Sequence, residues 1–344
     1  MRARWRQKQT EQLAVMYFAS TINDLMMITD LPDLASLHIP EPSDLDAEAT
    51  LQIYQALRPL LPAVRPAPHH QADRLIDCLD RFDAFILDGF GVINVGMDKI
   101  AGIDDFFAAA RAKNKPVVIL TNGASNPSDT VAQKYLKWDL PVTVDDVISS
   151  RDALASFLPA DPSRRSGLLQ LDHSTAALDG VKIMGADQHS LLDTADGFVF
   201  LGSVGWTAQD QHQLEASLTR KERPVWVGNP DVSAPHASQF SAEPGYWMAR
   251  AIKAVPELRP RWFGKPHAPA FQLAIDRVNH LAGRPLPAHR IAMVGDSPHT
   301  DILGGSACGL GTILVTSYGL LRDHDAEQLC RDTGIHPDWQ VKYI

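Results

Sequence analysis

Asp88 closes the apolar run 84–87 and is followed by Gly89-Phe90-Gly91. A carboxylate at the mouth of a buried strand can serve as a nucleophile or a metal ligand, and the glycines let backbone N–H groups approach an anion. Taken alone, the pattern is equally that of an Asp capping the next turn. Other polar groups occur in the same setting. Thr121-Asn122 follows a second apolar run, Gly264-Lys265-Pro266 supplies a fixed cation, and Gly295-Asp296 follows a third run with Asp301 five residues beyond. A carboxylate nucleophile, a hydroxyl, a lysine and a metal-binding carboxylate pair are the parts needed to transfer a phosphoryl group to an aspartate.

These residues need a scaffold that brings them to one edge. The runs 84–87, 116–120, 291–294 and 312–315 are short, apolar and abruptly ended, as buried parallel strands are. Helical patterns at 103–112, 128–138 and 268–281 alternate with them. The expected fold is therefore α/β, a Rossmann-like parallel sheet with helices on both faces, whose ligands lie at the carboxyl ends of the strands. The stretch 151–258 carries its own turns, strands at 197–201 and 225–227 and a helical pattern at 208–218, and reads as an inserted domain. Ahead of the core, 43–61 reads as a helix from an Asp/Ser-rich cap, Pro62, Pro66 and Pro68 break the chain, and 72–79 is again helix-like. The expected division is an N-terminal helical extension (1–80), a core (81–150 and 258–344) and an insertion (151–257).

Composition narrows the function classes. A chain of 344 residues with 45% hydrophobic and 21% charged residues is globular, and its length calls for two domains or one with a large insertion. A net charge of −9 argues against nucleic acid and anionic membranes as partners, since both require a positive field. The basic start 1–8 and the apolar run 13–19 are too short for a membrane span and make a poor signal peptide; a targeting segment is the lesser reading, beside a surface helix or sequence ahead of a later start at Met16 or Met26. Cys78, Cys308 and Cys330 form no C-x-x-C pair, so neither a disulfide framework nor a zinc site is expected, and a reducing, cytoplasmic setting fits. No G-x-G-x-x-G follows a strand, Arg259 stands where a P-loop before Gly264-Lys265 needs glycine, and H-E-x-x-H and G-x-S-x-G are absent.

The order Asp88-Gly-Phe-Gly-Val, Thr121-Asn122, Gly264-Lys265-Pro266 and Gly295-Asp296-x-x-x-Thr300-Asp301 resembles the haloacid dehalogenase (HAD) superfamily. More narrowly it resembles subfamily IIA, the sugar-phosphatase and 4-nitrophenylphosphatase-like proteins, to which Gly96, Asn229-Pro230-Asp231 and Thr312-Ile313-Leu314-Val315 also conform. The likeness spans about 82–320. The interval from Asp88 to Thr121 is too short for a cap domain and the interval from Thr121 to Lys265 is long enough, which is the C2-cap layout. The resemblance implies that Asp88 attacks phosphorus and becomes phosphorylated, while Thr121, Lys265 and the N–H groups near Gly89, Phe90 and Asn122 hold the phosphoryl oxygens. It further implies Mg²⁺ held by Asp88, the Phe90 carbonyl, Asp296 and Asp301, a small phosphorylated metabolite as substrate, and homodimer contacts through the cap. A helix-capping role is the alternative for Asp301, which follows Thr300.

Phe90 departs from the family pattern. The residue two after the nucleophile is usually a second Asp, which protonates the leaving oxygen and then activates water. Phe90 does neither, although its carbonyl still suits a metal. General acid–base catalysis is worth roughly 10²–10⁴-fold, a loss severe for an alkyl phosphate and mild for an aryl or acyl phosphate. His267 and His299 lie near the site in sequence and titrate near neutrality, so each is a candidate replacement acid, with a hydrogen-bonded loop histidine as the plainer reading. Asp98 is a weaker candidate, and His69-His70 reads as a solvated pair. Asn229 and Asp231 either face the substrate from the cap or form a plain turn, and Trp206 and Trp226 read as cap core or interface. Two functions stay open: a Mg²⁺-dependent phosphatase lacking its usual acid, or a weak or inactive relative that binds a phosphorylated ligand or a protein partner.

Overall fold

The computed structural model describes residues 34–172, 175–185, 187–235 and 239–344. The readings for 1–8 and 13–19 fall outside them. The main sheet has seven strands, all parallel, in the spatial order His70–Arg74, Trp339–Tyr343, Gly311–Val315, Ile291–Gly295, Ala84–Asp88, Val117–Thr121 and Val147–Ser149. Both faces are buried, so the central strands are apolar at every position rather than at alternate ones. Phe85, Leu87, Ile119, Val294 and Ile313 face one layer, built on the helices Ile103–Ala112 and Ser128–Lys137. Ala84, Ile86, Val118, Leu120 and Met293 face the other, built on Ser150–Phe157 and Ala268–Ala282.

The insertion forms a second, five-stranded parallel sheet in the order Arg261–Trp262, Val225–Val227, Gly197–Phe200, Leu168–Gln170 and Lys182–Ile183. Its helix Ala208–Arg220 starts at Thr207, whose hydroxyl accepts from the Asp210 N–H while Asp210 returns to the Thr207 N–H, a reciprocal cap. Trp206 is buried in this unit and donates Nε1–H to Gln211 Oε1 at 3.0 Å, and Trp226 is partly buried, so both are packing residues as expected. No helix among the described residues is long and apolar enough to cross a membrane.

Two sequence expectations change. The helix-like 72–79 is instead the edge strand His70–Arg74, followed by the 3₁₀ turn Leu75–Arg81. Its pairing with Trp339–Tyr343 overrides the local pattern and draws the chain into the main sheet ahead of residue 81. The expected helix 43–61 is the helix Ala47–Ala56, capped by Asp46, whose side chain accepts from the Ala49 N–H. It is not an appendage beside the core. Ile53, Tyr54 and Leu57 pack into the insertion's core, while Leu51 packs with Ile302, Leu303 and Leu320 of the main domain.

Candidate active site

The strand Ala84–Asp88 places Asp88 at the carboxyl edge of the sheet, where it stays 9% exposed. The chain then turns sharply. Ile93 and Asn94 both donate backbone N–H to the Gly89 carbonyl, and Gly91 adopts φ +76°. A Cβ at Gly91 would lie 2.5 Å from Asp296 Cγ, so both the backbone shape and the closeness of Asp296 require glycine there.

Lys265 is 2% exposed and sits between two carboxylates, its Nζ 2.7 Å from Asp88 Oδ1 and 2.6 Å from Asp301 Oδ1. Burial opposes its charge, but Asp301, Asp88 and Asp231 more than offset that, and its pKa is raised. Asp301 lies in the short turn Pro298–Ile302, and its Oδ2 accepts from the Ser297 N–H at 3.2 Å. Asp301 thus lies within the turn rather than at its start, and neither this turn nor the helix Leu303–Ala307 after it has a side-chain cap, so the capping alternative is not what is found. Asp296 Oδ2 accepts from the Leu320 N–H at 2.7 Å. Oxygens of Asp88, Asp296 and Asp301 all lie within 4.8 Å of one another. Burial, then the neighbouring carboxylates, raises the pKa of Asp296; burial and Asp88 raise that of Asp301 against the pull of Lys265. Three crowded hard oxygen donors whose mutual repulsion a single ammonium leaves uncompensated fit a divalent cation.

Asn122 joins the insertion to this cluster. Its Oδ1 accepts from the Lys265 N–H at 2.7 Å, and its Nδ2 donates to the Lys265 carbonyl at 3.0 Å and to Asp231 Oδ1 at 2.7 Å. Asp231 is pushed up to about 7, chiefly by the protein packed around it, with Lys265 and the Asn122 hydrogen bond pulling the other way. Thr121 is partly exposed at its strand end, and its hydroxyl accepts from the Gly123 N–H at 3.1 Å.

Not every expected residue meets the cluster. Asn229 turns away from it, accepting from the Asp231 N–H at 3.0 Å and donating to Glu243 at 3.1 Å, so it shapes the loop that presents Asp231. The turn reading thus describes Asn229, while Asp231 reaches Asn122 beside the cluster. Asp98 is exposed on a small hairpin, and His69 and His70 pack against the rings of His336 and Trp339. His267 stacks on Trp262 at 5.8 Å, and burial lowers its pKa to about 3. Burial, then Arg58, lowers that of His299 to about 3 as well. Both imidazoles are neutral at neutral pH and hold no proton that a leaving oxygen could take easily.

Three contributors were missed from the sequence. Lys134, on the helix after Thr121, feels the Asp88 charge while donating to Asn94 Oδ1 at 3.1 Å. Leu320 supplies its N–H to Asp296. Tyr54 comes from the N-terminal helix, and its pKa is raised well above the usual value by burial and then by Asp231, Asp301 and Asp296. Only Lys134 had a signal, as a cation one helix away from the second strand end.

Residues 85–183 match the haloacid dehalogenase-like hydrolase family, and residues 262–344 match the HAD-hydrolase-like family. The chain belongs to the HAD-like hydrolases. The two matches leave 184–261 between them, with the strands Gly197–Phe200 and Val225–Val227 of the inserted sheet, and include the Asp88, Thr121, Lys265 and Asp296 positions of this HAD protein. Among curated relatives, the acid sugar phosphatase of Staphylococcus aureus is 24% identical over 71% of this chain and 91% of its own length. That of Staphylococcus haemolyticus is 24% identical over 72% and 92%. A solved structure described as a possible sugar phosphatase of the HAD superfamily, from Cytophaga hutchinsonii, superposes with TM-score 0.68 at 26% identity, covering 79% of this chain and 98% of that one. The p-nitrophenyl phosphatase of Archaeoglobus fulgidus, at 20% identity and TM-score 0.61 over 75% and 95%, shares the fold.

Proposed function

We propose that this HAD-like hydrolase is a Mg²⁺-dependent phosphatase acting on a small phosphorylated metabolite, with sugar phosphates the first class to test. The observation that carries the reading is the convergence of Asp88, Lys265, Asp296 and Asp301 at one sheet edge beneath the inserted cap. The names of the curated sugar phosphatase relatives support the substrate class.

Asp88 forms the new bond to phosphorus as the ester oxygen departs in line, and water then cleaves the aspartyl-phosphate to release inorganic phosphate. Lys265, Thr121 and the N–H groups of Gly89, Phe90 and Asn122 balance charge on the phosphoryl oxygens. Asp88, the Phe90 carbonyl, Asp296 and Asp301 would hold Mg²⁺, which when bound offsets the negative charge that Asp88 and the substrate bring together. The cap, expected at 151–257 and built on a sheet between Leu168 and Trp262, contributes Asp231 to the substrate side. A cytoplasmic setting and a cap-to-cap homodimer belong to the same reading, and the net charge of −9 keeps nucleic acid and anionic membranes outside it.

Phe90 leaves the leaving oxygen without its usual proton donor, and neutral His267 and His299 do not replace it. Aryl phosphates should therefore turn over faster than sugar phosphates. The test is Mg²⁺-dependent phosphate release from 4-nitrophenyl phosphate and from sugar phosphates. Asp88→Asn should abolish both, and Phe90→Asp should raise sugar-phosphate turnover by about 10²-fold or more. Phe90 also favours a second reading, a phosphate-ligand or protein-binding relative without turnover. Silent wild type and silent Phe90→Asp, both still binding Mg²⁺ and phosphate, would replace the first reading with the second.

A further inference from the structure

The helix Ala47–Ala56 bridges the two domains directly over the cluster. On the cap side, Tyr54 Oη accepts from the Val232 N–H at 3.1 Å, next to Asp231, and the hydroxyls of Thr50 and Ser233 lie 2.8 Å apart. On the core side, the Tyr54 ring stacks on His299 with centroids 5.0 Å apart and planes 9° from parallel, and Gln55 Nε2 lies 3.2 Å from His299 Nε2. His299 belongs to the same turn as Asp301. Upstream, the cap helix Pro244–Ala254 grips the segment: Tyr246 Oη donates to the Pro40 carbonyl at 2.6 Å and Lys253 Nζ to that of Leu37 at 2.5 Å.

In-line displacement places the leaving group on the far side of phosphorus from Asp88, outward from the strand end. The 229–233 loop and the 298–302 turn, which carry Asp231 and Asp301 of the site, meet at Tyr54, which is 4% exposed. We propose that segment 34–61 is a strap fixing cap to core, and that Tyr54 is the specificity-determining wall on the leaving-group side. The inserted cap alone does not select the ester. The extension closes the space in which its non-phosphate part must fit, so enlarging that space changes which esters enter. The turnover part of this inference rests on the phosphatase reading; the strap does not.

The test compares kcat/KM for phenyl phosphate and a bulky biphenylyl phosphate in wild type, Tyr54→Phe and Tyr54→Ala. Tyr54→Ala should raise the bulky-to-small ratio about tenfold, and Tyr54→Phe, which keeps the ring, should hold it within about twofold of wild type. An unchanged ratio in Tyr54→Ala overturns the specificity role. Hydrogen exchange is measured on the same proteins and on Thr50→Val, which keeps side-chain volume but loses the contact with Ser233. Exchange should rise at 230–235 and 297–303 in Tyr54→Ala and at 230–235 in Thr50→Val, with no change at 84–88 or 291–295. Unchanged exchange at 230–235 and 297–303 overturns the strap. If no protein releases phosphate, the phosphatase reading fails, and the exchange result still decides the strap.

Discussion

The floor and the roof of the site are built differently. The floor consists of Asp88, Lys265, Asp296 and Asp301, tied to each other and to nearby backbone N–H groups at one sheet edge. The roof is Tyr54, Asp231 and His299, brought together from the extension, the cap and the turn that bears Asp301. In the floor, one buried ammonium is set against three crowded carboxyl groups, so losing it strands the rest. In the roof, most contacts are neutral hydrogen bonds and ring packing, each worth about 1 kcal/mol. Damage to the floor should therefore be severe and independent of substrate, whereas damage to the roof should be mild and depend on the ester.

The largest expected effect is Lys265→Met. It leaves Asp88 and Asp301 without their ammonium, which should cost about 3–5 kcal/mol in a metal-free urea titration and lower kcat by about 10²-fold or more with Mg²⁺ present. A small loss in both would show that the floor is not the coupled unit described here.

The pH dependence of stability comes next. The carboxyl pKa values of Asp231, Asp296 and Asp301 are raised, that of Asp231 to about 7. A raised carboxyl binds its proton more tightly folded than unfolded, so its stabilising contribution is full below about pH 4 and is lost as pH rises through about 7. Across that window metal-free protein should lose several degrees of Tm from these groups, and Mg²⁺ should restore more Tm at pH 7.5 than at pH 5. Thermal scans at both pH values, with Mg²⁺ and with chelator, check this; equal Mg²⁺ effects at the two pH values would detach the carboxylates from the cation.

The smallest effect should be Asn229→Ala. It removes the acceptor for the Asp231 N–H and the donor to Glu243, loosening the loop at a cost of about 1 kcal/mol. KM for the ester should rise severalfold with kcat nearly unchanged. A fall in kcat matching that of Lys265→Met would place Asn229 in the floor.

The sequence alone was enough to read the floor. Each of its residues follows an apolar run or lies in a short glycine-containing motif, and parallel α/β architecture brings such strand ends to one edge. The order of the motifs likewise located the insertion between Thr121 and Lys265. Three other features were settled only by tertiary structure. Segment 72–79 has a helix-like pattern, yet its first residues pair with Trp339–Tyr343, because an open sheet edge offers backbone hydrogen bonds that local periodicity does not register. His267 and His299 read as candidate acids until packing lowered both pKa values to about 3. The helix Ala47–Ala56 was legible as a helix, but its place over the site was not. Leu51 packs against the core, and Ile53, Tyr54 and Leu57 against the cap. Periodicity records that a face is apolar; which surfaces will bury it depends on contacts about two hundred residues away along the chain.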